Sequence, residues 1–372
     1  MKIVVISGIN LFRGGTLKVM QECIAAVSDF VDNDTMVYAL VHNEEQYPTY
    51  PNVKYFSFPK SRKSYLNRLY YEYIGFKKLS KQWNPYCWIS MHDTTPNVTA
   101  KKRVVYCHNT FAFLKTGLKD LYLQPSIYLF SKFSRYIHKI NIKKNDYVIV
   151  QQEWLRKDFE ESFGLDNVIV SLPVHESSLL HAEPLHENPG EKKEYLFFYP
   201  STPMVHKNFE MVCKAFGLLK QNGVDNAKLT ITLDGTEDKY AQMIYDKYHM
   251  QDNVIFTGFL NRQQMSDYYN RCDAVVFMSK IESWGLPVSE AKEFNKSVFV
   301  SDLPYAKETI GKYDKAKFLA IDDYQGLADA ISQFIKGELR YDDTEAVHYK
   351  QPFARDWNEL ISLILPELKK NS

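Results

Sequence analysis

Short apolar runs alternate with helix-length stretches along the chain, and the alternation occurs twice; no other feature restricts the fold as much. Lys2–Ser7 (KIVVIS), Thr35–His42, Trp88–Met91, Arg103–His108, Asp146–Gln151 and Val168–Leu172 read as strands. Helices fit from Gly14–Gly15 to about Phe30, over Ser64–Gln82, and from about Glu153. Apolar runs without polar alternation are buried on both faces, which implies a parallel sheet covered by crossover helices. The pattern stops between Pro173 and Lys193, where prolines and polar residues predict a linker. It restarts with strands at Tyr195–Tyr199, Lys228–Leu233, Asn253–Thr257, Ala274–Met278 and Ser297–Ser301. Helices are predicted between them at Asn208–Gln221, Arg262–Arg271 and Leu286–Phe294. The expected class is therefore α/β, with one doubly wound domain over 1–175 and a second over 194–350. A final amphipathic helix, Ala354–Leu365, would let 351–372 pack back on the first domain. A chain of 372 residues suits two cores better than one.

Composition removes several classes of function. Hydrophobic residues at 45% and charged residues at 24% exclude a disordered chain. A net charge of +1 gives no global field for nucleic acid. The five cysteines are scattered without a Cys-x-x-Cys pair, so reduced thiols are expected. No run approaches the roughly 18 apolar residues of a membrane span. The apolar stretch after Met1 is too short for an export signal, so a cytoplasmic location is expected.

Ligands of open parallel sheets sit at the C-terminal ends of the strands. The stretch Ser279–Glu290 (SKIESWGLPVSE) follows such an end and opens a helix. Backbone amides around Trp284, Gly285 and Leu286 would lack helical partners there and would suit a phosphate. Glu282 lies before the helix. Glu290 lies inside it, roughly 6 Å along the axis from Leu286. Both carboxylates could hold hydroxyls flanking a diphosphate; equally, one could be a loop charge and the other a surface helix residue. Lys207, at another strand-to-helix junction, could neutralise a diphosphate leaving group or could be an exposed helix-start charge. Gly14 and Gly15 would bring backbone close to a ligand, or simply make a tight turn. His108, with Asn109 beside it, ends a strand at the ligand edge, where a lone histidine could equally be structural; His92-Asp93 end another strand and are acceptor-site candidates. Asp32-Asn33-Asp34 precedes a strand and reads as a turn, so no metal site is expected.

Glu282 and Glu290, separated by seven residues within ESWGLPVSEA, resemble the paired-glutamate signature of retaining glycosyltransferases of family 4, the glycosyl transferases group 1. Phe256–Leu260 is similar to that family's base-contacting turn, Tyr268–Asp273 to its helix-to-strand lead-in, and Ser301–Pro304 through Glu308 to the segment after the motif. The resemblance covers about residues 195–335 well and the N-terminal half more weakly. It implies the GT-B fold, two facing Rossmann-like domains with a cleft between them. It implies transfer of a sugar from a nucleotide-diphosphate sugar to a hydroxyl of a glycan acceptor, in surface polysaccharide biosynthesis, without a metal or other cofactor. It gives Lys207 the leaving diphosphate, Glu282 the donor sugar and His108 the reacting face. Glu290, Gly14, Gly15, Gly258, Phe259, Leu260, Ser283, Trp284, Gly285 and Leu286 would bind the nucleotide sugar. Members often carry an arginine about five residues before the lysine; Ser201-Thr202-Pro203 stands here instead. A non-catalytic nucleotide-sugar-binding protein of the same fold and a nucleotide-sugar epimerase remain alternative readings.

Residues 101–145 hold ten lysines and arginines and a single acid, Asp120. Aromatic residues lie among them. Phe130, Phe133, Ile137 and Ile140 fit one helical face, with Lys132, Arg135 and Lys139 roughly opposite. Such a face suits an anionic membrane surface and a lipid-linked acceptor; a core-packed helix with a solvated outer face explains the pattern as well. Nucleic acid is not expected, because no binding motif accompanies the charge.

Overall fold

The computed structural model describes residues 1–173 and 194–370. The linker predicted at Pro173–Lys193 therefore lies, apart from Pro173, outside the described residues. Fourteen strands occur among them: β1 (Lys2–Ser7), β2 (Thr35–Val41), β3 (Val53–Ser57), β4 (Cys87–Ser90), β5 (Lys102–Tyr106), β6 (Tyr147–Val150), β7 (Val168–Ser171), β8 (Tyr195–Tyr199), β9 (Ala227–Ile231), β10 (Val254–Phe256), β11 (Ala274–Phe277), β12 (Ser297–Ser301), β13 (Ala316–Leu319) and β14 (Phe353–Ala354). They form two sheets, ordered β14-β7-β6-β5-β4-β1-β2-β3 and β10-β9-β8-β11-β12-β13. Every strand pair is parallel, as continuous apolar runs require.

The chain divides into two compact units, one of Met1–Asn109, Phe133–Val174 and Tyr349–Ser372, the other of Thr110–Lys132 and His175–His348. The sequence pattern assigns 110–132 to the first domain, whereas these residues pack with the second unit. The partners that hold them there, such as Pro203 and Glu210, lie far along the chain.

In the first unit the strand pleat sends alternate residues to opposite faces. Val4 and Ile6 pack with Met20, Ile24 and Val27 of the helix Gly14–Phe30 and with Leu360, Ile361 and Ile364 of the helix Trp357–Ile364. Val5 packs on the other face with Leu40, Phe76 and Trp88. Burying each large apolar side chain contributes roughly 1.5–3 kcal/mol. The C-terminal helix begins at Trp357 rather than Ala354, because Phe353–Ala354 pairs with β7 as β14. The Lys102 ammonium donates to Ile364 O at 2.9 Å and caps that helix. In the second unit Phe197, Phe216, Phe299 and Phe334 interlock, with ring centroids 5.4–6.0 Å apart. The Asp32–Asp34 stretch forms the turn expected of it, with Thr35 donating to the Asp32 carboxylate at 2.6 Å.

The helix Pro125–Lys139 corrects one expectation. Its buried residues are Ile127, Ser131, Ser134 and His138, while Leu129, Phe133 and Tyr136 are exposed, as is Ile140 just beyond. Phe130, Phe133, Ile137 and Ile140 thus do not form a common core face. The small serines allow the helix to sit close, and the aromatic rings are left outside.

Candidate functional site

In the second unit the chain reverses direction across the sheet between β8 and β11, the place where open α/β sheets bind ligands. Two loops meet there, one after each strand. The Lys280 amide and the Ser279 hydroxyl both donate to His206 O, at 2.7 and 3.3 Å. Ser301 and Tyr305 hydroxyls donate to Ser279 O at 2.8 and 2.9 Å and fix the other side of the loop. The Tyr199 hydroxyl donates to Lys207 O from within the sheet. Locked in this way, the Lys207 ammonium donates to Glu282 Oε1, and both side chains are largely buried. The ammonium also lies 5.3 Å from the Phe277 ring centre.

The helix Leu286–Glu293 follows, with Gly285 before it at φ +88 and no side-chain cap. Pro287 falls in its first turn. Its first-turn amides thus have no side-chain acceptor at the cap, the condition for anion binding at a helix start. Ser283 and Trp284 lead into it; the Trp284 indole N–H donates to Ser289 Oγ at 2.9 Å, and the Thr309 hydroxyl donates to Trp284 O. Leu286 is partly exposed. Glu290 Oε2 accepts from the Tyr269 hydroxyl at 2.6 Å. Burial pushes the Glu290 carboxyl above its ordinary value, opposed in part by that bond. Tyr269 is a positioning partner that sequence reasoning missed, since nothing in a tyrosine 21 residues upstream signals the contact.

After β10, Gly258 has φ +67, and a Cβ there would lie 2.7 Å from Asp234 Oδ2. Phe259 is exposed and Leu260 is at the edge of burial. The neighbouring Asp234 accepts from the Thr236 hydroxyl at 2.6 Å, which holds its carboxyl below the usual range.

The first unit has the same arrangement, with its switch between β1 and β4. Gly14 has φ +58 and begins a helix, and a Cβ at Gly14 or Gly15 would meet nothing within 4 Å. Open space therefore lies beside this backbone. Asp93, itself at φ +67, accepts backbone N–H groups of His108 and Asn109 at 2.7 and 2.8 Å. His108 Nδ1 lies 3.5 Å from the same carboxylate. His92 is fully buried, with Nδ1 2.7 Å from Asn10 Oδ1, and burial lowers its pKa to about 4. Beneath it a π-helical turn, Tyr71–Gly75, presents the buried Glu72 to Arg68 Nε at 2.5 Å and the Thr94 hydroxyl at 2.7 Å. Arg68 also donates to His92 O at 2.7 Å. An Arg and a Glu four apart on an amphipathic helix read as a solvated pair in sequence, so this buried network was not legible there.

Lys207, Glu282, Glu290, Ser283, Trp284, Gly285, Leu286, Gly258, Phe259 and Leu260 thus share the strand-end edge of the second sheet. Gly14, Gly15 and His108 share that of the first. Residues 183–351 match the family described as glycosyl transferases group 1. Over 260 residues, 65% of this chain and 70% of the relative, the sequence is 24% identical to the O-antigen chain mannosyltransferase RfbU of Salmonella typhimurium. The chain is a glycosyltransferase whose residues 183–351 match group 1.

The transferase has the GT-B fold, two Rossmann-like domains, by likeness to solved structures. WaaG, a glycosyltransferase involved in lipopolysaccharide biosynthesis, aligns with a TM-score of 0.64 at 13% identity over 90% of each chain. HepE of Anabaena, in complex with UDP-glucose, aligns with a TM-score of 0.62 at 14% identity over 91% of this chain and 90% of its own. Among the described residues of the transferase, no helix is long and apolar enough to cross a membrane. No group of three or more His, Cys, Asp or Glu is placed to hold a metal ion among them.

Proposed function

We propose that the transferase moves a sugar, with retention of anomeric configuration, from a nucleotide-diphosphate sugar to a hydroxyl of a glycan acceptor in surface polysaccharide biosynthesis. The observation that carries this reading is the Lys207–Glu282 pair at the switch point of the second sheet, beside the uncapped helix Leu286–Glu293. A diphosphate would draw the Lys207 ammonium from Glu282 and rest against the first-turn amides near Gly285 and Leu286. Glu282, released, would hold hydroxyls of the sugar, and Glu290 those of the ribose. The bond from the anomeric carbon to the diphosphate oxygen breaks while the acceptor oxygen bonds to that carbon on the same face. The acceptor proton passes to the leaving diphosphate, so no enzymic nucleophile or metal is required. RfbU, named for O-antigen, and WaaG, named for lipopolysaccharide, favour an acceptor of that class.

The acceptor is lipid-linked in this reading, and the transferase docks on an anionic bilayer. On the helix Pro125–Lys139, exposed Leu129, Phe133 and Tyr136 stand among Lys132, Arg135 and Lys139. Apolar rings enter the headgroup layer, and each lysine or arginine near an anionic surface adds about 1 kcal/mol.

Thermal shift against UDP-, GDP- and ADP-sugars, on wild type and Glu290→Ala, tests the donor site. One donor should stabilise the wild type alone. Stabilisation of both proteins alike, or of neither by any donor, would refute it.

A further inference from the structure

Lys207 is the only lysine or arginine between Ser201 and Asn208, so any ammonium or guanidinium contact from that segment to a phosphate depends on its placement. The turn that carries it, Val205–Lys207, is a single 3-10 turn with no side-chain cap. It is gripped from outside by the excursion Thr110–Lys132 of the same unit. Gln124 stands between the helices Leu118–Leu123 and Pro125–Lys139 and is almost fully buried. Its side-chain oxygen accepts from the Val205 amide at 2.8 Å. Its side-chain nitrogen donates to Pro203 O at 2.9 Å and to Asp238 Oδ2. Asp238 in turn caps the helix Lys239–Tyr248 through the Ala241 amide at 2.9 Å. Lys119 donates to Glu210, three residues after Lys207, at 2.8 Å, and the Phe111 ring meets the ring of His206, just before it, edge-on at 5.4 Å. The excursion thus meets this segment at Pro203, Val205, His206 and Glu210, in addition to the bonds that Lys280, Ser279 and Tyr199 make to the carbonyls of His206 and Lys207.

A buried primary amide that uses its oxygen and its nitrogen on two neighbouring backbone positions fixes both the place and the direction of that backbone. We propose that Gln124 is a positioning residue for Lys207, holding the Val205–Lys207 turn where the ammonium can reach a diphosphate. This rests on the reading of Lys207 as the diphosphate cation.

The test is binding of UDP, GDP and ADP and of the matching monophosphates, by calorimetry, to the full chain. The nucleotide that binds wild type best gives a diphosphate-to-monophosphate affinity ratio. Lys207→Ala should lower that ratio about tenfold, the worth of one charge-assisted contact. Gln124→Met keeps the side-chain length and removes the hydrogen bonds; Gln124→Glu keeps an acceptor for Val205 but faces Asp238. Both should lower the ratio several-fold with monophosphate affinity unchanged, and Lys207→Ala/Gln124→Met should be no worse than Lys207→Ala. A merely structural Gln124 would lower the melting temperature and leave the ratio alone. A wild-type ratio in both folded Gln124 variants, with Lys207→Ala reduced, overturns the positioning role. A wild-type ratio in Lys207→Ala overturns the phosphate role of Lys207, and the inference with it.

Discussion

The Tyr269 hydroxyl donates to Glu290 Oε2 at 2.6 Å beneath the helix Leu286–Glu293. One polar contact therefore restrains a carboxylate that burial disfavours. Burial raises the Glu290 pKa above its ordinary 4.5, so the folded state binds a proton more readily than the unfolded chain. Stability attributable to this group is then lost as pH rises through and above 4.5. We expect Glu290→Gln to melt higher than wild type at neutral pH, with the gain shrinking toward pH 4, while donor binding falls. Melting curves at several pH values check this; a gain that is constant with pH, or absent, would contradict it.

Lys207 and Glu282 neutralise one another in a largely buried setting. Removing one partner leaves an unpaired charge, whereas removing both does not. Lys207→Ala should lower turnover by about 10²–10³-fold and also lower the melting temperature. Adding Glu282→Ala should restore part of the melting temperature and none of the turnover. Initial rates and calorimetric scans on the three proteins measure both effects.

His92 has a pKa of about 4 against an ordinary 6.5, because burial disfavours the charged ring. Below pH 6.5 the unfolded chain takes up a proton that the folded chain refuses, so stability falls as pH drops from 6.5 to about 4. The loss from this residue amounts to about 3 kcal/mol at the acid end. Burial lowers His138 and His206 in the same direction. Urea unfolding at pH 7, 5.5 and 4.5 should show a flatter pH dependence for His92→Gln than for wild type.

Gly258 and Gly15 should respond oppositely to alanine. At Gly258 the backbone is left-handed and a Cβ would press on Asp234, so about 1–2 kcal/mol should be lost. Gly15 has no positive φ and open space, so alanine there should be neutral or stabilise by about 0.5 kcal/mol. Chemical denaturation of the two variants decides the comparison.

Wild type should sediment with vesicles containing anionic lipid at low salt, and release as salt rises. Phe133→Ser/Tyr136→Ser should bind less at every salt concentration, since both rings are exposed and their loss leaves the core intact. Equal sedimentation with neutral vesicles would count against an electrostatic surface.

Local sequence determined the two parallel sheets, because apolar runs without polar alternation can be buried only with helices on both faces. It also put His108 directly after such a run, and Lys207, Glu282 and Glu290 in the segments that follow two others. It was silent on β3 and β13, whose lysines and half-exposed positions break the apolar signal. Tertiary structure alone decided the rest. Ser131, Ser134 and His138 face inward while Phe133 and Tyr136 face out, because closeness of approach outweighed hydrophobicity on that helix. Tyr269 under Glu290, Glu72 against Arg68 and His92's loop, and Gln124 on Pro203 and Val205 are pairings set by where the chain returns in space. Side-chain periodicity records which face of an element is covered; it carries no record of the residue that covers it, which for Val205 is 81 positions away.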